Sequence, residues 1–468
     1  MLVKRIEIND LISWTAQTER KPLVIRGARQ VGKSTIVRQL AQAASLKLVE
    51  LNFERNPELR GTFSAKDPVK ILASLELLTR QPISAGETLL FLDEIQAAPE
   101  ALAALRYFYE EKPRLHVIAA GSLLEFTLAE ANFSMPVGRV EYMYLGPVQF
   151  EDFLEAIGES AMASWLRNTP LAELHDEALA APVHDKYMNL LRQYWVIGGL
   201  PEAVATFADR QGLLNIGRVH QSIVATYRDD FNKYSHGALR ERVRLVFDRL
   251  PQMIGRKFKY VQVSQDHRSG ELAAALQQLC MARVAYKVRH TAANGVPLAA
   301  EVNERHFKTL YMDVGLMCSA LNLSMLDLEQ EDLILSNQGA LAEQFIGQHL
   351  LYGGAWYEPS ALYYWVREAR NSNAEVDYVI AHGRHVIPIE IKSGKTGTLR
   401  SLHRFLHEKR QSFALRFNAD QPSLLRDSIS FAANETLKYE LLSLPMYMVG
   451  QTRRLLSERM QRVGRPSM

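Results

Sequence analysis

The stretch Gly27-Ala28-Arg29-Gln30-Val31-Gly32-Lys33-Ser34 fits G-x-x-x-x-G-K-[ST] without a mismatch. That spacing is chemistry for phosphate. Backbone N–H groups of the loop and the positive end of the following helix surround the phosphate oxygens. Lys33 adds a point charge to the β- and γ-phosphates, and the Ser34 hydroxyl is a ligand for Mg²⁺. Gly27 through Thr35 is therefore the candidate nucleotide-binding stretch, with ATP and Mg²⁺ as its cargo. Asp93 and Glu94 end a second apolar run, Asp93 standing 60 residues after Lys33. Asp93 would hold Mg²⁺ through water, and Glu94 would polarise the attacking water, which points to hydrolysis as well as binding. Ser122 closes a third run, where it would sense the γ-phosphate; the alternative is a plain strand-terminating serine. Arg139 is a candidate γ-phosphate or neighbouring-subunit arginine, with a structural salt bridge as the alternative.

A second set lies in the last third. Asp377 sits in the run Glu375 to Ile380, and Glu390 and Lys392 sit in His385 to Lys392. Side chains alternate along a strand, so Glu390 and Lys392 share one face, and Asp377 would lie opposite Glu390 in a hairpin. Carboxylates so placed suit Mg²⁺ or Mn²⁺, with Lys392 positioning water or neutralising developing charge. A salt-bridge ladder across a hairpin is the plainer reading.

The elements that must position these groups are legible as patterns. Leu23-Val24-Ile25 reads as a buried strand running straight into the glycine loop, and Thr35 to Ala44 continues as an amphipathic helix. Thr88 to Leu92 and Leu115 to Ala120 read as further strands, ending at Asp93-Glu94 and Gly121-Ser122. Open α/β sheets place ligands at such carboxyl ends. Val140 to Leu145 is strand-like. From Glu151 to Phe207 the pattern is helical. Gly198-Gly199-Leu200-Pro201 reads, by itself, as a helix-breaking turn. Ile216 to Lys259 carries ten Lys and Arg against four Asp and Glu. Helices there and at Gly270 to Met281 precede two strand-like runs, Arg283 to Arg289 and Arg305 to Asp313. This order predicts a winged helix whose basic face meets DNA phosphates; a solvated face, or one used for protein contacts, is the alternative. Gly339 to Leu350 reads as a helix carrying Glu343. Gln451 to Met468 has five Arg and one Glu, and reads as a frayed tail.

Composition bounds the rest. The chain has 468 residues, 47% apolar and 23% charged, ordinary for a globular protein of about three domains. A formal charge of +3, from 55 Lys and Arg against 52 Asp and Glu, excludes a chain-wide basic wrapper of nucleic acid. Two cysteines exclude a disulfide scaffold and suit a reducing cytoplasm. No membrane span or secretory signal is expected.

The phosphate loop, Phe91-Leu92-Asp93-Glu94-Ile95-Gln96, Ala120-Gly121-Ser122, Gly138-Arg139 and Gly198 to Ala203 together resemble the prokaryotic AAA-type ATPases that carry a C-terminal DUF4143 domain. Ser34 stands where Thr is commoner. The resemblance implies that Pro201 opens a lid region near the adenine. The D…ExK arrangement resembles the metal site of the PD-(D/E)xK nuclease-like fold. There Asp377 and Glu390 would bind Mg²⁺ or Mn²⁺, and Glu343 would fill an extra acidic position. The expected fold class is α/β in three parts: an AAA+-type P-loop ATPase domain at 1–195, a helical lid and winged helix at 196–328, and a restriction-endonuclease-like domain at 329–450. A basic tail follows at 451–468. The expected function is Mg²⁺-dependent ATP hydrolysis acting on or with DNA, structured or branched, with a nuclease-like last domain that binds it, cleavage being left open. Assembly as a homo-oligomer is compatible with this pattern. One rival is a regulatory switch ATPase controlling assembly or a partner protein, its nuclease-like domain inert. Another is a nucleotide kinase, against which Asp93-Glu94 and the long C-terminal extension argue.

Overall fold

The computed structural model describes residues 3–129, 138–176, 179–209, 212–323, 331–359, 361–367, 374–392, 399–431 and 435–463. Its first layer is a parallel sheet of five strands: β1 (Leu23–Arg26), β2 (Lys47–Asn52), β3 (Thr88–Asp93), β4 (His116–Gly121) and β5 (Glu141–Tyr144), in the order β2-β3-β4-β1-β5. The three inner strands, β1, β3 and β4, are almost unbroken apolar runs because both their faces are covered. Leu23, Ile25, Leu89, Phe91, Ile118 and Ala120 pack on one side with α1 (Glu7–Thr15) and α2 (Lys33–Ala43). Val24, Leu90, Leu92, Val117 and Ala119 pack on the other with α3 (Pro68–Thr79) and α4 (Pro99–Glu111). Because β1, β4 and β3 are neighbours running the same way, the loops after all three emerge side by side. That places the phosphate loop, Ser122 and Asp93-Glu94 along one edge.

The chain then passes through α5 (Leu124–Ala129), β5 and a helical layer: α6 (Phe150–Ala156), α7 (Ser160–Asn168), α8 (Glu173–Asp176), α9 (Ala181–Ile197) and α10 (Pro201–Ala208). The Gly198-Gly199 turn between α9 and α10 is more than a helix breaker. Gly198 adopts φ +75°, and a Cβ there would lie 2.1 Å from Asp313 Oδ1. Gly199 N donates to Asp313 Oδ2 at 2.7 Å, and Gly199 O accepts from Val148 N at 2.6 Å. A buried carboxylate thus fixes where α10 starts.

Helices α11 (Leu213–Tyr234), α12 (Gly237–Arg249), α13 (Tyr260–Val263) and α14 (Ser269–Met281) lead to an antiparallel hairpin, β6 (Ala285–Thr291) and β7 (Val302–Tyr311). Here the structure departs from the expected winged helix. β6 also pairs in parallel with β8 (Leu362–Val366), through Val288–Leu362 to His290–Tyr364. The hairpin is therefore the edge of an eight-stranded sheet. It continues through β9 (Glu375–His382), β10 (His385–Ile391), β11 (Phe413–Asn418), β12 (Ser423–Ser430) and β13 (Thr436–Pro445), in the order β12-β13-β11-β10-β9-β8-β6-β7. The expected boundary at 328/329 lies outside the described residues, but strands on both sides of it share this sheet. α15 (Val314–Ala320) and α16 (Glu331–Tyr352) intervene in sequence, and Leu341, Phe345 and Ile346 of α16 pack in one core with Ile387, Ile389 and Ile391. On the opposite face, Val386, Val379 and Trp365 pack on Phe405 of α17 (Arg400–Glu408).

The expected frayed tail is a docked helix, α18 (Thr452–Val463), with Leu455 and Leu456 buried. Arg454 donates to Thr169 O at 2.9 Å and to Leu166 O at 3.0 Å, and Glu458 Oε2 accepts from Leu171 N at 2.7 Å. Two arginines of this stretch are committed: Arg454 here, and Arg459 to Glu440. Residues 464–468 lie outside the described residues.

Candidate nucleotide site

The phosphate loop is shaped by two residues with positive φ, Gln30 at +65° and Gly32 at +92°; Gly32 caps α2 in the left-handed region that favours glycine. Gly27 meets a steric limit instead, since a Cβ on it would lie 2.3 Å from Leu145 O. Lys33 is buried, and its Nζ donates to Ala28 O at 2.8 Å and Gly27 O at 3.1 Å. Burial pushes its pKa down to about 8, against the pull of Glu94 and Asp93. The Ser34 hydroxyl lies 3.2 Å from both oxygens of Asp93. Asn52, at the end of β2, donates to Asp93 Oδ2 at 3.1 Å. Burial, with Glu94 beside it, raises the Asp93 pKa, and the hydrogen bonds from Asn52 and Ser34 oppose that.

Glu94 takes φ +51°, which turns the chain sharply after β3. Gln96 Nε2 donates to Glu94 Oε2 at 2.7 Å. The Gln96 side chain reaches across β4: a Cβ on Gly121 would lie 2.1 Å from Gln96 Oε1, so glycine is what admits it. Ser122 is buried and its hydroxyl lacks a hydrogen-bond partner among the described residues; the same holds for Gln96 Oε1 and Gln30 Oε1. Buried polar atoms seldom stay unpaired, so three orphans along one edge mark a place where a polar ligand fits. These residues suit ATP and Mg²⁺: a left-handed glycine cradle, a buried ammonium, and a hydroxyl–carboxylate pair of hard oxygens.

The start of α10 closes on this loop. A Cβ on Gly32 would lie 3.2 Å from Pro201 Cγ. A cavity of about 330 Å³ opens there, lined by Val3, Gln30, Thr35, Gln39, Pro201 and Glu202. Arg5 braces it, donating to Val31 O and Gly146 O at 2.8 Å each. From α11, the Tyr227 hydroxyl donates to Arg29 O at 2.6 Å, and Asp230 pairs with the Arg29 guanidinium at 2.7 Å. Arg139 is not brought to the loop. It precedes β5, whose register sets Glu141 beside Leu23, at the end of the sheet opposite the loop, and it pairs with Glu110 at 2.8 Å. A cis γ-phosphate role for Arg139 is thereby corrected; the salt bridge is what it makes within its own chain.

Residues 19–154 match the family model described as an AAA domain. This segment of the chain is thus similar to AAA domains. Residues 188–327 and 338–427 match two further models, each described as a domain of unknown function, DUF8612 and DUF4143. No curated protein matches the sequence. Among solved structures, PCH-2 of C. elegans is 13% identical, over 44% of this chain and 62% of that one, with a TM-score of 0.27. This chain therefore spans less than two thirds of PCH-2. The Thermotoga maritima RuvB Holliday junction branch migration motor is 15% identical, over 65% of this chain and 93% of that one, with a TM-score of 0.28. No helix among the described residues is long and apolar enough to cross a membrane.

Sequence reasoning about the nucleotide site missed Arg5, Asn52, Gln96, Tyr227 and Asp230. Gln96 lay within a quoted motif, but only the missing Cβ of Gly121 shows why it reaches Glu94. The others had no local signal, since their partners stand tens to hundreds of residues away.

The second expected site is assembled differently from its expectation. The antiparallel register of β9 and β10 runs to Tyr378–Ile389, the pair next to Asp377 and Glu390. Lys392 Nζ bonds Glu390 Oε1 at 2.5 Å, and Asp377 Oδ2 accepts from Ile391 N at 2.8 Å. Relative to β8, β9 carries an extra residue between Val376 and Val379, a bulge that re-aims Asp377 and Tyr378. Lys308 of β7 enters this group, its Nζ 2.9 Å from Glu343, 2.5 Å from Glu375 and 3.8 Å from Asp377. Burial works against the Lys308 ammonium, but Glu343, Asp377 and Glu375 hold its pKa up. Burial, and then Asp377, push the Glu390 pKa up to about 7. Among the described residues, no three His, Cys, Asp or Glu side chains form a group able to hold a metal ion. The expected set Glu343, Asp377 and Glu390 thus does not fit a divalent ion as it stands: Glu343 is taken by Lys308, and Glu390 and Asp377 each spend an oxygen within the sheet.

The basic segment is also partly spent. Arg228 pairs with Asp248 at 2.8 Å, Arg242 with Glu271 at 2.7 Å, and Lys233 with Glu54 at 3.6 Å. Lys257 and Lys259 are exposed around the turn before α13.

Proposed function

We propose that this protein is a Mg²⁺-dependent ATP hydrolase that acts on or with DNA. The observation that carries the hydrolase reading is the Ser34–Asp93 contact beside the buried Lys33 ammonium. Ser34 and Asp93 would hold Mg²⁺, which supplies charge neutralisation at the phosphates. Lys33 places a positive charge against the β- and γ-oxygens, and the loop N–H groups fix their position. Glu94 accepts the proton of the attacking water, held in orientation by Gln96. Ser122 donates its unpaired hydroxyl at the same edge. Pro201 and the cavity beside it would receive the base. The proposed division of labour keeps the ATPase on the five-stranded sheet and its helical lid, and DNA contact on the α11–α12 region together with the nuclease-like C-terminal sheet. The protein would work in the cytoplasm, where Cys280 and Cys318 stay free thiols. The test is the steady-state ATPase rate with and without duplex and four-way-junction DNA, at two salt concentrations. Stimulation that weakens with salt supports DNA as partner.

A second reading, a nucleotide-controlled switch acting on a partner protein, is favoured by the clamp of Arg29 to Tyr227 and Asp230. That clamp ties the phosphate loop to a helix leading toward the C-terminal sheet. A slow hydrolase indifferent to DNA would support it.

A further inference from the structure

The acidic group of the eight-stranded sheet already has a cation. Lys308 is 1% exposed and lies on β7, a strand that the D…ExK pattern does not include. Its ammonium touches Glu343 from α16 and Glu375 from β9, with Asp377 just beyond, and it lies 5.5 Å over the ring of Tyr364. An ammonium is a compact charge with three donors, and here two carboxylates from different elements meet it at contact distance. Divalent magnesium or manganese needs several oxygens close in around it. To supply them, Glu343 would have to leave Lys308, and a dication would then sit beside a buried ammonium left with Glu375 alone at contact distance. Asp377 lies in the bulge of β9, 3.8 Å from this lysine, and its Oδ2 is already spent on Ile391 N.

We infer that Lys308 is the resident counter-ion of this acidic group, standing in the place of a divalent metal, and that the group does not bind one. The last domain is then a platform whose carboxylates hold β7, β9 and α16 together, and it lacks the metal that phosphodiester cleavage of the D…ExK kind requires. One atom bears against this: Glu390 is 5% exposed, and its Oε2 lacks a partner among the described residues. The experiment therefore reads Glu390 directly.

Mn²⁺ bound per chain would be counted by the loss of the free-ion electron paramagnetic resonance signal, on the nucleotide-free full chain. The wild type, Asp377→Asn, Glu390→Gln, Lys308→Met and the double variant Lys308→Met/Asp377→Asn would be compared. The expected result is the same count in the wild type, Asp377→Asn and Glu390→Gln. One extra Mn²⁺ per chain is expected in Lys308→Met, lost again in the double variant. Any manganese bound at the AAA domain is common to all five and cancels. Loss of one equivalent in Asp377→Asn or Glu390→Gln overturns the inference, and so does a folded Lys308→Met that gains none. If Lys308→Met does not fold, the wild type against Asp377→Asn and Glu390→Gln still decides it. The count is independent of ATP turnover, so failure of the ATPase reading and failure of this inference are separately visible.

Discussion

At the scale of single residues, the nucleotide edge is a set of buried charges that a ligand would complete. Lys33→Ala should abolish ATP turnover, read by phosphate release. Glu94→Gln should keep ATP binding and lower hydrolysis by about 10²–10⁴-fold, the ordinary share of a general base. Loss of binding in that variant would show that Glu94 holds the nucleotide rather than the water. The pH behaviour of Lys33 has a definite sign. Burial lowers its pKa from 10.5 to about 8 in the folded chain. Between those values the unfolded chain holds more of this proton than the native one. The cost of burying the ammonium is therefore full below about pH 8 and fades as pH rises toward 10.5, and Lys33 by itself makes stability rise through that window. ATP affinity should run the other way, weakening as pH passes about 8 and the loop loses its charge. Titration calorimetry across pH 7 to 9.5 checks this; flat affinity would mean that Lys33 stays charged. The residue types at this edge were all readable in the sequence. Their partners were not: Asn52 meets Asp93 only because β2 and β3 pair in register, Asn52 beside Asp93.

At the scale of elements, two joints fix the helices near the loop: the Gly198 turn on Asp313, and Tyr227 of α11 on Arg29 O. Gly198→Ala should destabilise the chain by roughly 2 kcal/mol or more, because it adds both left-handed strain and a clash with Asp313. Thermal unfolding measures it. Tyr227→Phe removes one hydrogen bond to Arg29 O and should cost about 1 kcal/mol. If α11 reports on the loop, the same variant should also change ATP affinity; an unchanged affinity would weaken the switch reading. The patterns of β1, β3 and β4 were plain because buried parallel strands are continuous apolar runs. The hairpin β6–β7 was also legible as strands, but its neighbour was not. Period-two alternation says that a strand has two faces and is silent about which strand pairs with it.

At the scale of the whole molecule, the C-terminal sheet crosses the apparent boundary of the chain. The expected boundary falls at 328/329, yet β7 and β8, on either side of it, belong to one sheet. A chain ending at residue 328 should leave β6 with an unpaired edge and an uncovered apolar face. Size-exclusion chromatography and melting should show aggregation or loss of a cooperative transition. A well-folded monomer would mean that the hairpin is stable without β8. The docked α18 predicts likewise that removing residues 452–468 costs stability, since Leu455 and Leu456 lose their cover.

What the sequence determined by itself is the chemistry that depends on neighbours along the chain. The phosphate loop, its helix, and the strand ending in Asp93-Glu94 are local patterns whose spacing carries their meaning. Tertiary structure alone decided the contacts between distant segments. It sent Arg139 to the wrong end of the sheet for the loop, joined the expected wing to the last domain, and set Lys308 among Glu343, Glu375 and Asp377. The physical reason is the same in each case. A charge's role is set by what lies within a few ångströms of it, and chain spacing predicts that only when the partners share an element or a turn.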